Sequence, residues 1–267
     1  MKRGTLLSII VPCYRNAGTI ENDLHNLFIA LSYIDMQWEI IVVADGIEDK
    51  TFDRASAYAK KHKSVQVIGY KTNRGKGYAV RYGMAKSKGE IIGFIDAGGD
   101  IRPESITMLL EHFRWYNADI IIGSKLHPVS KVSYPLPRKI LSWGYRLFVR
   151  GLFGLNIRDS QVGMKLFRRV VLEDVMPRLL VKKFAFDIEM LAVAHHLGYT
   201  HIYEAPVELD FTGASSITSW SVWKTIWNML WDTFAVYYRL KILRYYDNSN
   251  KRKWVFDPEL NYKVNIG

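Results

Sequence analysis

The chain has 267 residues, 49% of them hydrophobic and 24% charged, which is ordinary for a packed globule and enough for one large α/β domain or two small ones. A single cysteine, Cys13, excludes an internal disulfide, and no run reaches the ~18 uncharged apolar residues that a membrane span needs. The net charge is +11, and most of it sits between Lys125 and Lys183, where 13 Lys or Arg face 3 Asp or Glu; such a band suits phosphate-bearing partners.

The opening MKRGTLLSIIVPCYRN is too short in its apolar run for a signal peptide and reads as the first strand. With one buried-type thiol and no span, a cytosolic protein is expected. LLSIIVPC, WEIIVVAD, VQVIGY, EIIGFID and ADIIIGS follow as short β-branched runs of the kind buried in parallel sheets, separated by segments of helical spacing. This alternation predicts a doubly wound, mostly parallel α/β sheet. After Ser124 a loop containing Pro128, Pro135 and Pro137 leads to a helix from Arg138 to about Phe153. RDSQVGMKLFRR has strand character, AFDIEMLAVAHHLG reads as a helix ending at Gly198, and HIYEAPVEL as a strand. His195 and His196 lie on that apolar helix with no neighbouring ligand set and are read as structural.

The sequence divides at about residue 215. In the tail, 216–267, Trp220, Trp223, Trp227 and Trp231, continued by Phe234 and Tyr238, recur at spacings of three and four and so share a helix face. Charged residues interrupt the run, and NKRKW follows it. An interfacial helix at a membrane surface and a helix packed on the domain or on a second subunit of a homo-oligomer both fit.

In a doubly wound sheet, ligands bind at the carboxyl ends of strands. Those ends carry Pro12, Tyr14 and Asn16; Asp45, Gly46 and Asp49; Asn73, Gly75, Lys76 and Gly77; and the run from Asp96 to Asp100. In NRGKG, two glycines bracket Lys76 at a helix start, where backbone N–H groups and the helix dipole favour an anion. Arg81, one turn later, is a second candidate for the same side.

SIIVPCYRN, IIVVADGIEDKT, NRGKGYAVRYGM, FIDAGGD and RDSQVGMKLFRR, in that order, resemble the inverting family 2 glycosyltransferases of GT-A fold, most of all the branch that makes dolichyl- or polyprenyl-phosphate glucose and mannose. The resemblance covers roughly residues 5 to 215. It implies a nucleotide pocket built from Pro12, Tyr14, Asn16, Asp45 and Lys76, with Asp96 at the diphosphate. It also implies Mg²⁺ or Mn²⁺ held by Asp96. The family's second acid is here Gly98, so Asp100 is the expected replacement ligand. Two further departures are Ala44 and Ile47, where the family carries an aspartate and a serine.

By the same resemblance Asp96, Asp159 and Gln161 are the expected catalytic contacts, and Lys125, Arg138, Lys165 and Arg168 the cations for an acceptor phosphate. Strand alternation sends Lys165 and Arg168 to opposite faces, so they cannot share one task. A lipid monophosphate, with a second pKa of about 6, needs cations and no general base. The implied donors are UDP-glucose and GDP-mannose, the acceptor a polyprenyl or dolichyl phosphate, the place the cytoplasmic face of a membrane; no nucleic-acid module is recognisable. Two alternatives stay open: transfer to a glycan hydroxyl with Asp159, Asp187 or Glu189 as base, and a silent homologue that binds nucleotide or lipid.

Overall fold

The structure is a computed structural model that describes residues 5–98, 101–130, 136–181, 185–209, 219–249 and 254–265. A seven-stranded sheet forms its centre. The chain builds it through β1 (Leu6–Cys13), α1 (Ile20–Ser32), β2 (Gln37–Asp45), α2 (Thr51–Ala59), β3 (Val65–Tyr70), α3 (Lys76–Lys86) and β4 (Ile91–Ile95). It continues through α4 (Ser105–Trp115), β5 (Ile120–Ser124), α5 (Leu136–Phe153), β6 (Met164–Arg168), α6 (Arg169–Val175), α7 (Phe186–His196) and β7 (Ile202–Pro206). The strands lie in the order β3-β2-β1-β4-β6-β5-β7.

Each run of β-branched residues became a buried strand because helices cover both faces of the sheet. Alternation then splits β1 between two cores: Leu7, Ile9 and Val11 face one, Ile10 the other. From β1 the chain adds β2 and β3 on one side, then crosses to place β4 on the other. The winding therefore reverses between β1 and β4, and the crevice at the carboxyl ends of the strands lies beside this switch point.

β6 runs antiparallel to both of its neighbours, β4 and β5. Met164 pairs with Ile95 and Arg168 with Ile91, so the start of β6 lies at the crevice and its end lies at the opposite edge of the sheet. Of the expected strand RDSQVGMKLFRR, only residues 164–168 pair; the preceding residues form a loop at the crevice.

The tail is anchored in the main core. α8 (Ser219–Tyr237) and the π-helical turn Tyr238–Ile242 turn Val236 and Leu240 inward, and Tyr245 and Tyr246 are buried behind them. Trp227 and Trp231 are 68% and 66% exposed, and Phe234 and Tyr238 are also exposed, so the aromatic stripe is the outer face. The side chains of Trp220 and Trp223 lie outside the described residues. α5 lies beside α8 and adds Trp143 and Leu147 to the exposed apolar surface. A short hairpin, β8 (Trp254–Asp257) and β9 (Tyr262–Asn265), ends the described chain, an element the sequence did not suggest. Among the described residues no helix is long and apolar enough to cross a membrane.

Candidate active site

The crevice is a pocket of about 160 Å³ lined by Asp96, Ala97, Gly98, Ile101, Lys125, Gln161 and Gly163. β4 delivers Asp96, β5 delivers Lys125, and the loop before β6 delivers Gln161 and Gly163, so three strand ends converge. Asp96 is fixed by its own N–H, which donates to the Gly163 carbonyl at 3.0 Å.

Lys76 enters from the first residue of α3. Its turn is set by Gly75, whose φ of 93° lies in the left-handed region that glycine adopts freely. The Lys76 ammonium donates to Asp96 Oδ2 at 2.8 Å and lies 3.7 Å from Asp187 Oδ2. Asp187 Oδ1 in turn accepts from Lys165 Nζ at 2.5 Å. The four groups form a ladder of alternating charge, Lys165, Asp187, Lys76, Asp96, running from the core to the pocket. Both ammonium groups also lie 5.2 Å from the Phe94 ring centroid.

Burial sets the electrostatics. It pushes the Asp96 carboxyl above the usual range, against the opposing pull of Lys76. For Lys76 burial acts downward, but Asp187 and Asp96 outweigh it and hold the ammonium above the ordinary lysine range. Lys165 is driven down by its full burial, only partly offset by Asp187.

Asp96 Oδ1 is buried with no hydrogen-bond partner, an oxygen that the surrounding chain leaves for a cation. Among the described residues no three acidic, histidine or cysteine side chains converge on one point, and Asp100 lies outside those residues. One carboxylate is a sufficient protein ligand for Mg²⁺ or Mn²⁺ when diphosphate oxygens and waters complete the shell. The residues present therefore fit a divalent ion held by Asp96 and substrate.

Around the nucleotide side, Tyr14 presents a partly exposed ring whose hydroxyl donates to Glu48 at 2.9 Å. Asn16 Oδ1 accepts from the Tyr14 N–H at 2.8 Å, and Pro12 is buried opposite Val43. Asp45 corrects an expectation. Its carboxylate, 3% exposed, accepts from Tyr70 Oη, Asn73 Nδ2 and the N–H groups of Arg74 and Gly75. With its acceptor sites filled it staples the β2 end to the turn that aims Lys76, and does not reach out to a base.

Four other expectations change. Arg168 sits at the far end of β6, five residues from the crevice edge or about 17 Å at strand rise, bonded to Ala118 O and Asn117 Oδ1; it cannot meet an acceptor there. Lys165 is fully buried and donates to Val162 O and Asp187, so its charge acts through Asp187. Asp159 does not line the pocket: its carboxylate accepts from the N–H groups of Lys125 and Gln161, holding those two residues side by side. Arg81 is buried and donates to the Met176 carbonyl, away from the nucleotide side.

Glu189, fully buried, accepts from the N–H groups of Leu180 and Val181 and from Tyr246 Oη, which orients that loop and occupies Glu189 away from the pocket. Arg138 lies in α5 with its side chain outside the described residues. Reasoning from sequence missed Gly163 and Tyr145. The Tyr145 hydroxyl accepts from Gln161 Nε2 at 3.5 Å and shares a hydrogen bond with Thr233 of α8. A glycine just ahead of a buried strand was the available signal for Gly163; Tyr145 had none.

A doubly wound sheet with a carboxylate and a lysine at its strand ends and a second lysine across the pocket has the layout of a GT-A glycosyltransferase. The chain belongs to glycosyl transferase family 2, whose model matches residues 8–176. It is 30% identical over 249 residues to a dolichyl-phosphate beta-glucosyltransferase of Drosophila melanogaster, covering 86% of this chain and 76% of that one. It is 32% identical over 237 residues to the human dolichyl-phosphate beta-glucosyltransferase, covering 80% and 71%. In fold it matches glucosyl-3-phosphoglycerate synthase from Mycobacterium tuberculosis, crystallised with Mn²⁺, UDP and glucosyl-3-phosphoglycerate, at a TM-score of 0.64 and 17% identity, covering 95% of this chain and 84% of that one.

Proposed function

We propose that this glycosyltransferase moves glucose from UDP-glucose to the phosphate of a polyprenyl or dolichyl lipid, with inversion at the anomeric carbon. The observation that carries the reading is the pocket itself: Asp96 with Lys76 on one wall, Lys125 with Gln161 on the other, and no free carboxylate placed as a base among the described residues. A phosphate oxygen of the acceptor attacks C1 of glucose. The C1–oxygen bond to the diphosphate breaks, and its electron pair leaves with UDP. The acceptor is already ionised, so no proton must be removed. A divalent ion, when bound at Asp96, would neutralise the charge that gathers on the diphosphate.

Within this reading Lys76 holds the diphosphate as charge develops, stabilising the transition state more than the ground state. Lys125 binds the acceptor phosphate, and Gln161, kept in place by Asp159 and Tyr145, borders the sugar. The relatives' named activity supports glucose and dolichyl phosphate over the alternatives of a glycan hydroxyl acceptor or a silent binder.

The exposed aromatic surface of α5 and α8 supports a membrane as the place of work. Trp and Tyr favour the headgroup region, the chain is basic, and Tyr145 links this surface to Gln161 at the pocket. A nucleotide-sugar donor supports the cytoplasmic face. Incubation with UDP-glucose and with GDP-mannose, each against a short polyprenyl phosphate, tests the reading. Lipid-linked glucose is expected; no lipid-linked sugar from either donor would overturn it.

A further inference from the structure

We infer that Lys76 is a placeholder cation, occupying the carboxylate at which a divalent ion binds until a nucleoside diphosphate draws it away, so that metal and nucleotide are taken up as a coupled pair. This rests on the divalent-ion reading of Asp96 above.

Two features of the corner lead there. First, Gly98 stands where a second acid would have been, so among the described residues Asp96 is the one carboxylate lining the pocket, and a single ammonium neutralises it. Asp96 shares its oxygens unequally: Oδ2 is held by Lys76 at 2.8 Å, while Oδ1 is buried without a partner. Second, Lys76 has an alternative seat within reach. Asp187 Oδ2 is 3.7 Å from its Nζ, and the residue lies between Gly75 and Gly77 at the start of α3.

The charge count makes the coupling. In the ladder Lys165, Asp187, Lys76 and Asp96 each carboxylate is already paired with an ammonium, and Lys125 lines the same pocket, so a dication approaching Asp96 without nucleotide has to compete with Lys76 for the carboxylate. A nucleoside diphosphate changes the sign of the corner. Its oxygens supply the anionic ligands that Gly98 does not, and they offer Lys76 a partner, which frees Asp96 Oδ2. Linkage then requires the reciprocal effect: the ion must strengthen nucleotide binding by the same factor.

Removing the Lys76 charge should uncouple the two. The measurement is the electron paramagnetic resonance signal of free Mn²⁺, titrated with the full chain, with and without UDP, for the wild type, Lys76→Met and Lys76→Gln. Methionine keeps an apolar stem against Phe94, and thermal melting of both variants confirms that they fold. The wild type is expected to bind Mn²⁺ weakly alone and at least about tenfold more tightly with UDP. Both variants are expected to bind Mn²⁺ without UDP at least about tenfold more tightly than the wild type, with a smaller further gain from UDP. Asp96→Asn should abolish Mn²⁺ binding in both conditions. If UDP promotes Mn²⁺ binding to the wild type but the variants bind no more tightly than it does without UDP, the placeholder role is wrong and the metal reading survives. If the wild type binds no Mn²⁺ even with UDP, both fall.

Discussion

Gly163 and Asp96 are packed so closely that a Cβ on Gly163 would lie 2.0 Å from Asp96 Oδ2 and 2.5 Å from its Cγ. The pair is joined by a backbone hydrogen bond from Asp96 N to Gly163 O, so neither can retreat without breaking the β4–β6 edge. Gly163→Ala should therefore displace the carboxylate while the sheet survives. The expected result is a loss of about 100-fold or more in kcat/KM for the nucleotide sugar, from a misplacement of about 1 Å. Steady-state kinetics with melting curves check this; an alanine variant with near-native kinetics would show that Asp96 is not at the chemistry.

The ion pair between Lys165 and Asp187 is buried on both sides, at 0% and 5% exposure. Lys165→Met leaves Asp187 sharing only the Lys76 ammonium, and a broken buried pair costs about 3–5 kcal/mol. Urea unfolding should show that loss. The double variant Lys165→Met, Asp187→Leu should regain part of the stability, because apolar partners leave no buried charge, yet it should not regain activity, since Lys76 has lost its inner carboxylate.

Lys125 and Arg168 offer a contrast between two basic residues that look alike in sequence. Lys125→Ala is expected to raise KM for a polyprenyl phosphate about tenfold, because Lys125 borders the pocket. Arg168→Ala should leave both kinetic constants within about twofold and lower stability by about 1 kcal/mol, through the lost bonds to Ala118 and Asn117. Equal effects of the two substitutions would contradict the antiparallel placement of β6.

Cys13 provides a pH test. Burial, with Asp49, Asp45 and Asp23 adding to it, pushes its thiol up from 9.0 to about 12. The folded state then keeps a proton that the unfolded state loses, so this contribution to stability is fully present below pH 9.0 and is lost as pH rises toward about 12. The slope is about 1.4 kcal/mol per pH unit in that window. Subtracting the pH dependence of Cys13→Ala from that of the wild type isolates it. A flat difference above pH 9.0 would mean that the thiol is not held neutral.

The aromatic stripe predicts a separation of lipid docking from chemistry. Trp227→Ala with Trp231→Ala should lower binding to anionic vesicles by about tenfold or more, as large buried apolar area at the interface is removed. Turnover of a short, soluble prenyl phosphate should persist. Unchanged vesicle sedimentation would assign the stripe to contact with another protein.

Much of this molecule could be read along the chain. The strand runs around Ile10, Ile41, Phe94 and Ile121 are buried on both faces, and their apolar, β-branched character is a local property of the sequence. Strand ends in such a sheet are ligand positions by topology, so Lys76 and Asp96 were legible from the strand runs, whereas Lys125 and Gln161 were expected only from the family resemblance. The aromatic face of α8 followed from spacing alone, and the structure leaves it outward.

Roles within the site were not legible in the same way. Sequence alternation separated Lys165 from Arg168, but only the antiparallel register of β6 decides that one belongs to the pocket's charge ladder and the other lies about 17 Å from the crevice edge. Asp45, Asp159 and Glu189 read as available carboxylates, yet each accepts backbone N–H groups from a segment that the fold brings to it. The reason is physical. Residue type and period fix which elements form and which face they bury, whereas a carboxylate's role depends on which donors and charges arrive within about 3 Å, and those come from distant parts of the chain.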